Sequence, residues 1–263
     1  MNYYCITNCV ENAIASVDAG INRIMIDLEN NNKKTQRQKG KNAIQSHHSM
    51  SDIIKLSKVI ERKYLGVRVN SLYEGGIENL KTLDFSKISF IMLPFFTTPK
   101  DIETFNDLCP NSIHKIYLFE SGEAIGRAER IINKMQGEVH FGLNDLSISL
   151  NLNFLFEILT SGILDWLCAL TSKNNLPYGI GGIGNLNTNQ LIDPKLIATE
   201  YIRLKSNAVI LSRSFFKNIN SNEIKKNFNE VNSFFKSLKN ESDKNIFKNS
   251  KQELINQVNK QIK

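Results

Sequence analysis

Most of the features that assign a chain quickly are missing from this one. It has four cysteines in 263 residues, Cys5, Cys9, Cys109 and Cys168. They are scattered, Cys5 and Cys9 are too far apart for a CxxC pair, and no histidine lies beside them. Neither a zinc site nor a disulfide framework is readable, which points to a reducing, cytoplasmic compartment. No basic segment followed by an apolar run opens the sequence, so no signal peptide is expected. No apolar run reaches the length of a membrane span, so no membrane partner is expected either. Arginines are not clustered and aromatic residues are not interleaved with basic ones, which argues against nucleic acid as a partner. There is no internal repeat.

The length suits one α/β barrel, and a hydrophobic fraction of 41% is enough to build a core. The net charge of +7 is unevenly spread. From Lys217 onward ten lysines stand against five acids, so this end supplies five of the seven net charges. That pattern reads as a solvated helical face.

The chain otherwise alternates. Short apolar runs at Tyr3–Ile6, Ile21–Leu28, Leu65–Val69, Ser89–Phe95, Ile113–Phe119, 138–144, Tyr178–Gly182 and Ala208–Leu211 read as strands. The continuous apolar run Ile21–Leu28 reads as a strand buried on both faces. Between the strands lie helical patterns at Cys9–Ala19, with Asn8 as the expected cap, then Ile53–Arg62, Glu74–Leu83, Pro99–Cys109, Gly122–Met135, Asn153–Asn174 and Asp193–Lys205. An eighth helix is expected at Glu223–Lys239, followed by a polar, weakly amphipathic tail. Eight strands alternating with eight helices predict a (β/α)8 TIM barrel over residues 1–216, with 217–263 as a C-terminal helical extension. A doubly wound open sheet is the second reading. It usually carries a glycine-rich phosphate loop after its first strand, where this chain has Thr7-Asn8-Cys9. One stretch breaks the pattern: residues 30–50 are polar, basic and aperiodic, and include the pair His47-His48. A loop of that length inside a domain is usually functional or mobile.

In a barrel the strand ends form one rim, and catalysis belongs there. In order, that rim carries Asp27 and Glu29, Arg68 and Asn70, Pro94, Glu120, Asn144 and Asp145, Gly181 and Gly182, and Ser212 with Arg213. Glu120 and Asp145 end neighbouring apolar runs, so two carboxylates can reach one point, where a hard divalent cation is the natural occupant. Each acid alone is as readily a helix cap or a surface charge. The bare pattern stops at a metal-binding barrel enzyme acting on an anionic small molecule.

Five segments go further: Ile26-Asp27-Leu28-Glu29, Val67-Arg68-Val69-Asn70, Ile91-Met92-Leu93-Pro94, Phe119-Glu120-Ser121-Gly122-Glu123-Ala124 and Gly142-Leu143-Asn144-Asp145-Leu146-Ser147. In this order and spacing, from about Ala13 to Phe215, they resemble the HpcH/HpaI aldolase and citrate lyase family of the phosphoenolpyruvate/pyruvate barrel superfamily. The resemblance implies a lyase that makes or breaks a carbon–carbon bond through a pyruvate-like or acyl-CoA-derived enolate. It implies Mg2+ or Mn2+ held by Glu120 and Asp145, and a substrate carboxylate met by Arg68, with Asn70 beside it. Asp27 and Glu29 would orient metal-bound water and Arg68; a structural ion pair of Arg68 with Glu29 or Asp27 at the rim is the other reading, and the two are not exclusive. The resemblance also implies a homotrimer or homohexamer that exchanges its last helix.

The sequence departs from the family at Asn30. Pyruvate aldolases of the family tend to have Asp-x-Glu-His there and the citrate lyase branch Asp-Leu-Glu-Asp, whereas this chain reads Asp27-Leu28-Glu29-Asn30. Asparagine has no useful pKa for a base. His48, on the loop that leaves the same strand, is the candidate replacement, with His47 second. His140 lies within a strand and reads as a structural histidine. Gly181 and Gly182 would let backbone N–H groups approach an anion, a phosphorylated or CoA-linked substrate included, or simply form a tight turn. The expected function is a cytoplasmic, metal-dependent aldolase-type lyase. The rival readings are a barrel that binds a ligand or partner without catalysis, and a thioester hydrolase on a CoA ester.

Overall fold

The computed structural model describes residues 1–29, 47–216 and 219–262. The expectations placed on Asn30 and on the stretch up to residue 46 lie outside the described residues, as does the side chain of Arg213. Eight strands run β1 (Asn2–Ile6), β2 (Arg23–Asp27), β3 (Leu65–Arg68), β4 (Phe90–Leu93), β5 (His114–Phe119), β6 (Glu138–Phe141), β7 (Tyr178–Ile183) and β8 (Ala208–Leu211). Each pairs in parallel with its sequence neighbours, and β8 pairs back onto β1, closing an eight-stranded barrel. The expected (β/α)8 architecture is the observed one.

Among the described residues twelve α-helices surround the barrel or extend it. In chain order they are α1 (Val10–Ala19), α2 (Met50–Leu56), α3 (Gly76–Thr82), α4 (Pro99–Leu108), α5 (Gly122–Ile125), α6 (Ala128–Ile132), α7 (Leu143–Ser149), α8 (Glu157–Thr160), α9 (Ile163–Lys173), α10 (Pro194–Arg203), α11 (Ser221–Lys239) and α12 (Lys244–Gln261). Several boundaries differ from the sequence reading. Cys9, not Asn8, sits at the N-cap of α1, while Gly20 ends it in the left-handed region at φ 100°. The helix expected over Gly122–Met135 is two short helices broken at Gly126-Arg127. The one expected over Asn153–Asn174 is divided at Gly162, whose φ of 83° no continuous helix can contain. The sixth strand stops at Phe141, and α7 has already begun by Leu143.

Side-chain alternation along the strands explains the two cores. Tyr4, Met25, Phe90, Met92, Ile116, Leu118 and Ala208 point inward and fill the barrel. Their neighbours Tyr3, Cys5, Ile24, Ile26, Ile91, Tyr117, Phe119 and Val209 point outward to the helices. Gly66 lies opposite Phe90 in register, and a Cβ there would come 2.3 Å from the Phe90 ring, so glycine makes room for it. The N-terminal end of the barrel interior is polar. Glu138 accepts from Tyr4 Oη at 2.7 Å and from Arg23 Nη1 at 2.8 Å, and lies 3.4 Å from His114 Nε2. These hydrogen bonds hold the Glu138 carboxyl down at about 2, although its burial opposes this.

The end of the chain packs onto the barrel. Helix α11 buries Ile224, Phe228, Val231 and Phe235 at helical spacing and lies along α1, with the Phe228 ring edge-on to Tyr3 at 4.9 Å. It also contacts α10, on the outside of the barrel. The tail expected to be polar and weakly amphipathic forms α12, which buries Leu254 and Val258 against α10 and α8. Lys251 of α12 reaches the buried Glu200 carboxylate and the Leu159 carbonyl. Among the described residues no helix is long and apolar enough to cross a membrane.

Candidate active site

The alternation that fills the barrel also sets its upper rim. One step past the inward-facing core residues, at the C-terminal ends of the strands, the same inward positions hold Asp27, Arg68, Glu120, Gly142 and Ser212. Register then decides which of these are neighbours. Asp27 pairs with Arg68 across β2 and β3. Phe119 pairs with Phe141 across β5 and β6, which sets Glu120 beside Gly142.

Arg68 is fixed on two sides. Its Nε and Nη2 donate to the two oxygens of Asp27, each at 2.8 Å, and Nη2 lies 3.0 Å from Glu29 Oε2. Asp27 and Glu29 are buried, at 1% and 3% exposure. Burial alone would lower the guanidinium pKa, but the charges of Asp27, Glu29 and Glu120 hold it well above its ordinary value. The cation is therefore permanent and rigidly aimed, as a bidentate pair requires. The two readings of Arg68 prove compatible: it is an ion-pair partner at the rim and it also lines the cavity described next.

A cavity of about 380 Å³ opens at this mouth of the barrel. Arg68, Glu120, His140, Asp145 and Ser212 line it on the polar side, together with Gly181 and Gly182. Asp27, Glu29, Asn70 and His48 do not line it. Asn70 turns its backbone N–H and its Nδ2 to Asn79 Oδ1, at 3.0 and 2.8 Å. His48 stands at the exit of β2, where its Nδ1 accepts from the Asp27 backbone N–H at 2.9 Å. With Nδ1 accepting in this way, the neutral ring carries its proton on Nε2.

Glu120 follows β5 directly and is 2% exposed. A Cβ on residue 142 would come 3.0 Å from Glu120 Oε2 and 3.1 Å from its Cβ, so Gly142 makes room for this carboxylate although its own φ of −85° needs no glycine. Asp145 is in the first turn of α7 rather than at a strand end as expected. The two carboxylates thus face one cavity from different elements. Among the described residues no three His, Cys, Asp or Glu side chains form a complete metal cage. Two carboxylate groups in an open cavity nonetheless fit a small hard cation, which commonly takes one or two protein carboxylates and completes its shell with water and substrate oxygens.

His140 and the glycines form a second layer. Burial pushes the His140 imidazole down to about 4, and its Nε2 lies 3.0 Å from the Gly181 carbonyl, so it is a neutral donor there. Gly181 and Gly182 lie within β7, not beyond it as a turn would. Gly181 has φ 49°, and a Cβ would come 2.6 Å from both Leu143 and the Tyr201 hydroxyl. Tyr201 donates to the Gly182 carbonyl at 3.0 Å. Backbone geometry and packing thus require glycine at 181.

Sequence reasoning passed over Leu155 and Phe156, which also line the cavity. They come from the 151–156 segment, where the expected helix hid them. Phe95, expected as the last residue of the fourth strand, lies just past β4. Its φ of 50° is unusual for an aromatic residue, and nothing in the sequence signals it.

No family model matches the sequence, and no curated protein matches it. Solved structures do match the fold. RipC from Yersinia pestis aligns over 89% of this chain and 94% of its own, with a TM-score of 0.60 and 13% identity. The protein CitE from Mycobacterium tuberculosis, solved in complex with magnesium and acetoacetate, aligns over 89% of this chain and 95% of its own, with a TM-score of 0.59 and 13% identity. An HpcH/HpaI aldolase/citrate lyase family protein from Burkholderia cenocepacia J2315 aligns over 88% and 94%, with a TM-score of 0.59 and 15% identity. The family that the motifs resemble is thus the one found among these structural neighbours, and the chain has the fold of the HpcH/HpaI aldolase and citrate lyase proteins.

Proposed function

We propose that this protein is a divalent-metal-dependent carbon–carbon lyase of the aldolase type, acting through the enolate of a 2-oxo or hydroxy acid. The observation that carries this reading is that Glu120, Asp145 and the clamped Arg68 line one cavity at the C-terminal mouth of the barrel. Glu120 and Asp145 would hold Mg2+ or Mn2+. When bound, the cation would act as a Lewis acid and lower the free energy of negative charge developing on the substrate oxygen. Arg68 would bind the substrate carboxylate with the guanidinium edge that Asp27 and Glu29 leave uncommitted. Those two acids would keep the guanidinium in one orientation, so that little ordering remains when substrate arrives. His140 would hold the Gly181 carbonyl in place through Nε2–H. His48 would contribute a hydrogen-bond donor at the rim through its own Nε2–H. The Mycobacterium tuberculosis protein that shares this fold was solved with magnesium and a small keto acid, the pair of ligands this donor set would take. Assembly into a homotrimer or homohexamer belongs to the same proposal.

Incubation with pyruvate and Mg2+ or Mn2+ in heavy water, followed by NMR, tests this directly. The methyl proton signal should decay in a metal-dependent manner, and the decay should vanish in Asp145→Ala while the circular dichroism spectrum is kept. The second reading, binding without turnover, is favoured by the hydrogen bond that His48 Nδ1 accepts from the Asp27 amide. Absence of exchange with any metal, alongside retained ligand binding, would select it.

A further inference from the structure

The polar floor of the cavity accounts for only part of it. Its remaining wall is apolar and includes Leu143, Leu155, Phe156, Ile183 and Ile197. A volume of about 380 Å³ lies within the roughly 300–1,000 Å³ range of pockets that take drug-sized ligands, and exceeds what a three-carbon acid fills. A second hollow of about 520 Å³ adjoins it, sharing Phe156 and Gln190, and is lined beyond them by Phe154, Asn189, Leu191 and Ile192. The Phe154 and Phe156 rings pack edge to face at 5.7 Å. At the far end Leu191 is 70% exposed, an apolar side chain left in water at the lip of the groove. A charged floor, an apolar wall and an apolar exit in sequence describe an amphipathic ligand.

We propose that the acid bound here carries an uncharged apolar extension, an aliphatic chain or ring of about four or more carbons. It would seat against Leu155, Phe156, Ile183 and Ile197 and leave past Gln190 toward Leu191. This rests on the functional reading above, in which Arg68 takes the carboxylate head, and it makes Phe156 and Leu191 determinants of specificity.

Isothermal titration of the full chain with oxamate, N-propyloxamate and N-hexyloxamate, each with Mg2+, separates the two ideas. These probes keep a 2-oxo acid head, do not enolise, and differ only in chain length. Binding should tighten about three- to fourfold for each methylene that the apolar wall buries. Phe156→Ala should remove most of the gain in affinity of the hexyl probe over oxamate, read as the ratio of the two Kd values in the same variant. Leu191→Ser, at a position too exposed to disturb folding, should weaken the hexyl probe and leave the propyl probe unchanged. Equal Kd values across the series, with oxamate itself binding, would overturn the apolar extension and leave the lyase reading standing. Failure of oxamate to bind with either Mg2+ or Mn2+ would overturn both.

Discussion

Lowering the pH from 7 to 5 should destabilise this barrel through His140. The imidazole is fully buried, and its pKa is pushed down to about 4 from an ordinary 6.5. Desolvation is the main cause, Arg23 and Arg68 push the same way, and the Gly181 carbonyl and Glu138 oppose it. Because the folded pKa is depressed, the unfolded chain takes up the proton first. The stabilisation is fully present above pH 6.5 and is lost as pH falls toward 4. The whole shift corresponds to about 3 kcal/mol, of which about 2 kcal/mol is lost between pH 7 and 5. Glu138 is also depressed, to about 2, but its contribution is lost at lower pH, below the ordinary 4.5 of a glutamate, and leaves this window clear. Urea unfolding at half-unit steps from pH 5 to 7 measures the slope. In His140→Gln the carboxamide nitrogen can still donate to Gly181 but does not titrate, so the slope should largely disappear even if absolute stability falls. Equal slopes in the two proteins, or a flat profile in the parent, would refute the assignment of a buried neutral imidazole.

Three further outcomes follow from the same geometry. Asp27→Ala removes both 2.8 Å contacts to Arg68 and leaves a buried guanidinium with Glu29; urea unfolding should show a loss of about 3 kcal/mol, and oxamate binding should weaken at least tenfold. Gly142→Ala places a methyl 3.0 Å from Glu120 Oε2; Mn2+ affinity read by electron paramagnetic resonance should fall with the circular dichroism spectrum unchanged. Leu254→Ala on α12 should lower stability by about 3 kcal/mol, as for other fully buried leucines. If α12 exchanges between subunits, that loss will depend on protein concentration, and if it packs only on its own barrel it will not.

The closed barrel was legible because a parallel sheet buried on both faces writes its strands as short, largely apolar runs between helical patterns. Helix boundaries were less legible. Two expected helices were broken at Gly126-Arg127 and at Gly162, where a helical pattern of side chains continues across backbone that does not. The start of α7 was missed for the converse reason: seven residues carry too few apolar positions to show a period, so Asp145 read as a strand end. His48 was placed correctly in sequence near β2, yet no pattern could reveal that the Asp27 amide occupies its Nδ1. Leu155 and Phe156 read as ordinary helix interior, since nothing local distinguishes a cavity wall from a core.

The sequence by itself determined the alternation of strands and helices, and hence that Asp27, Arg68 and Glu120 stand at strand ends on one rim, because apolar runs and helical periods are written locally along the chain. Only the tertiary structure decided who meets whom there. Register sets Asp27 against Arg68 and Glu120 beside Gly142, and Phe154, Leu155, Phe156, Leu191 and Ile192 supply apolar walls beside a charged floor. Such contacts join residues far apart along the chain, so no local pattern records them.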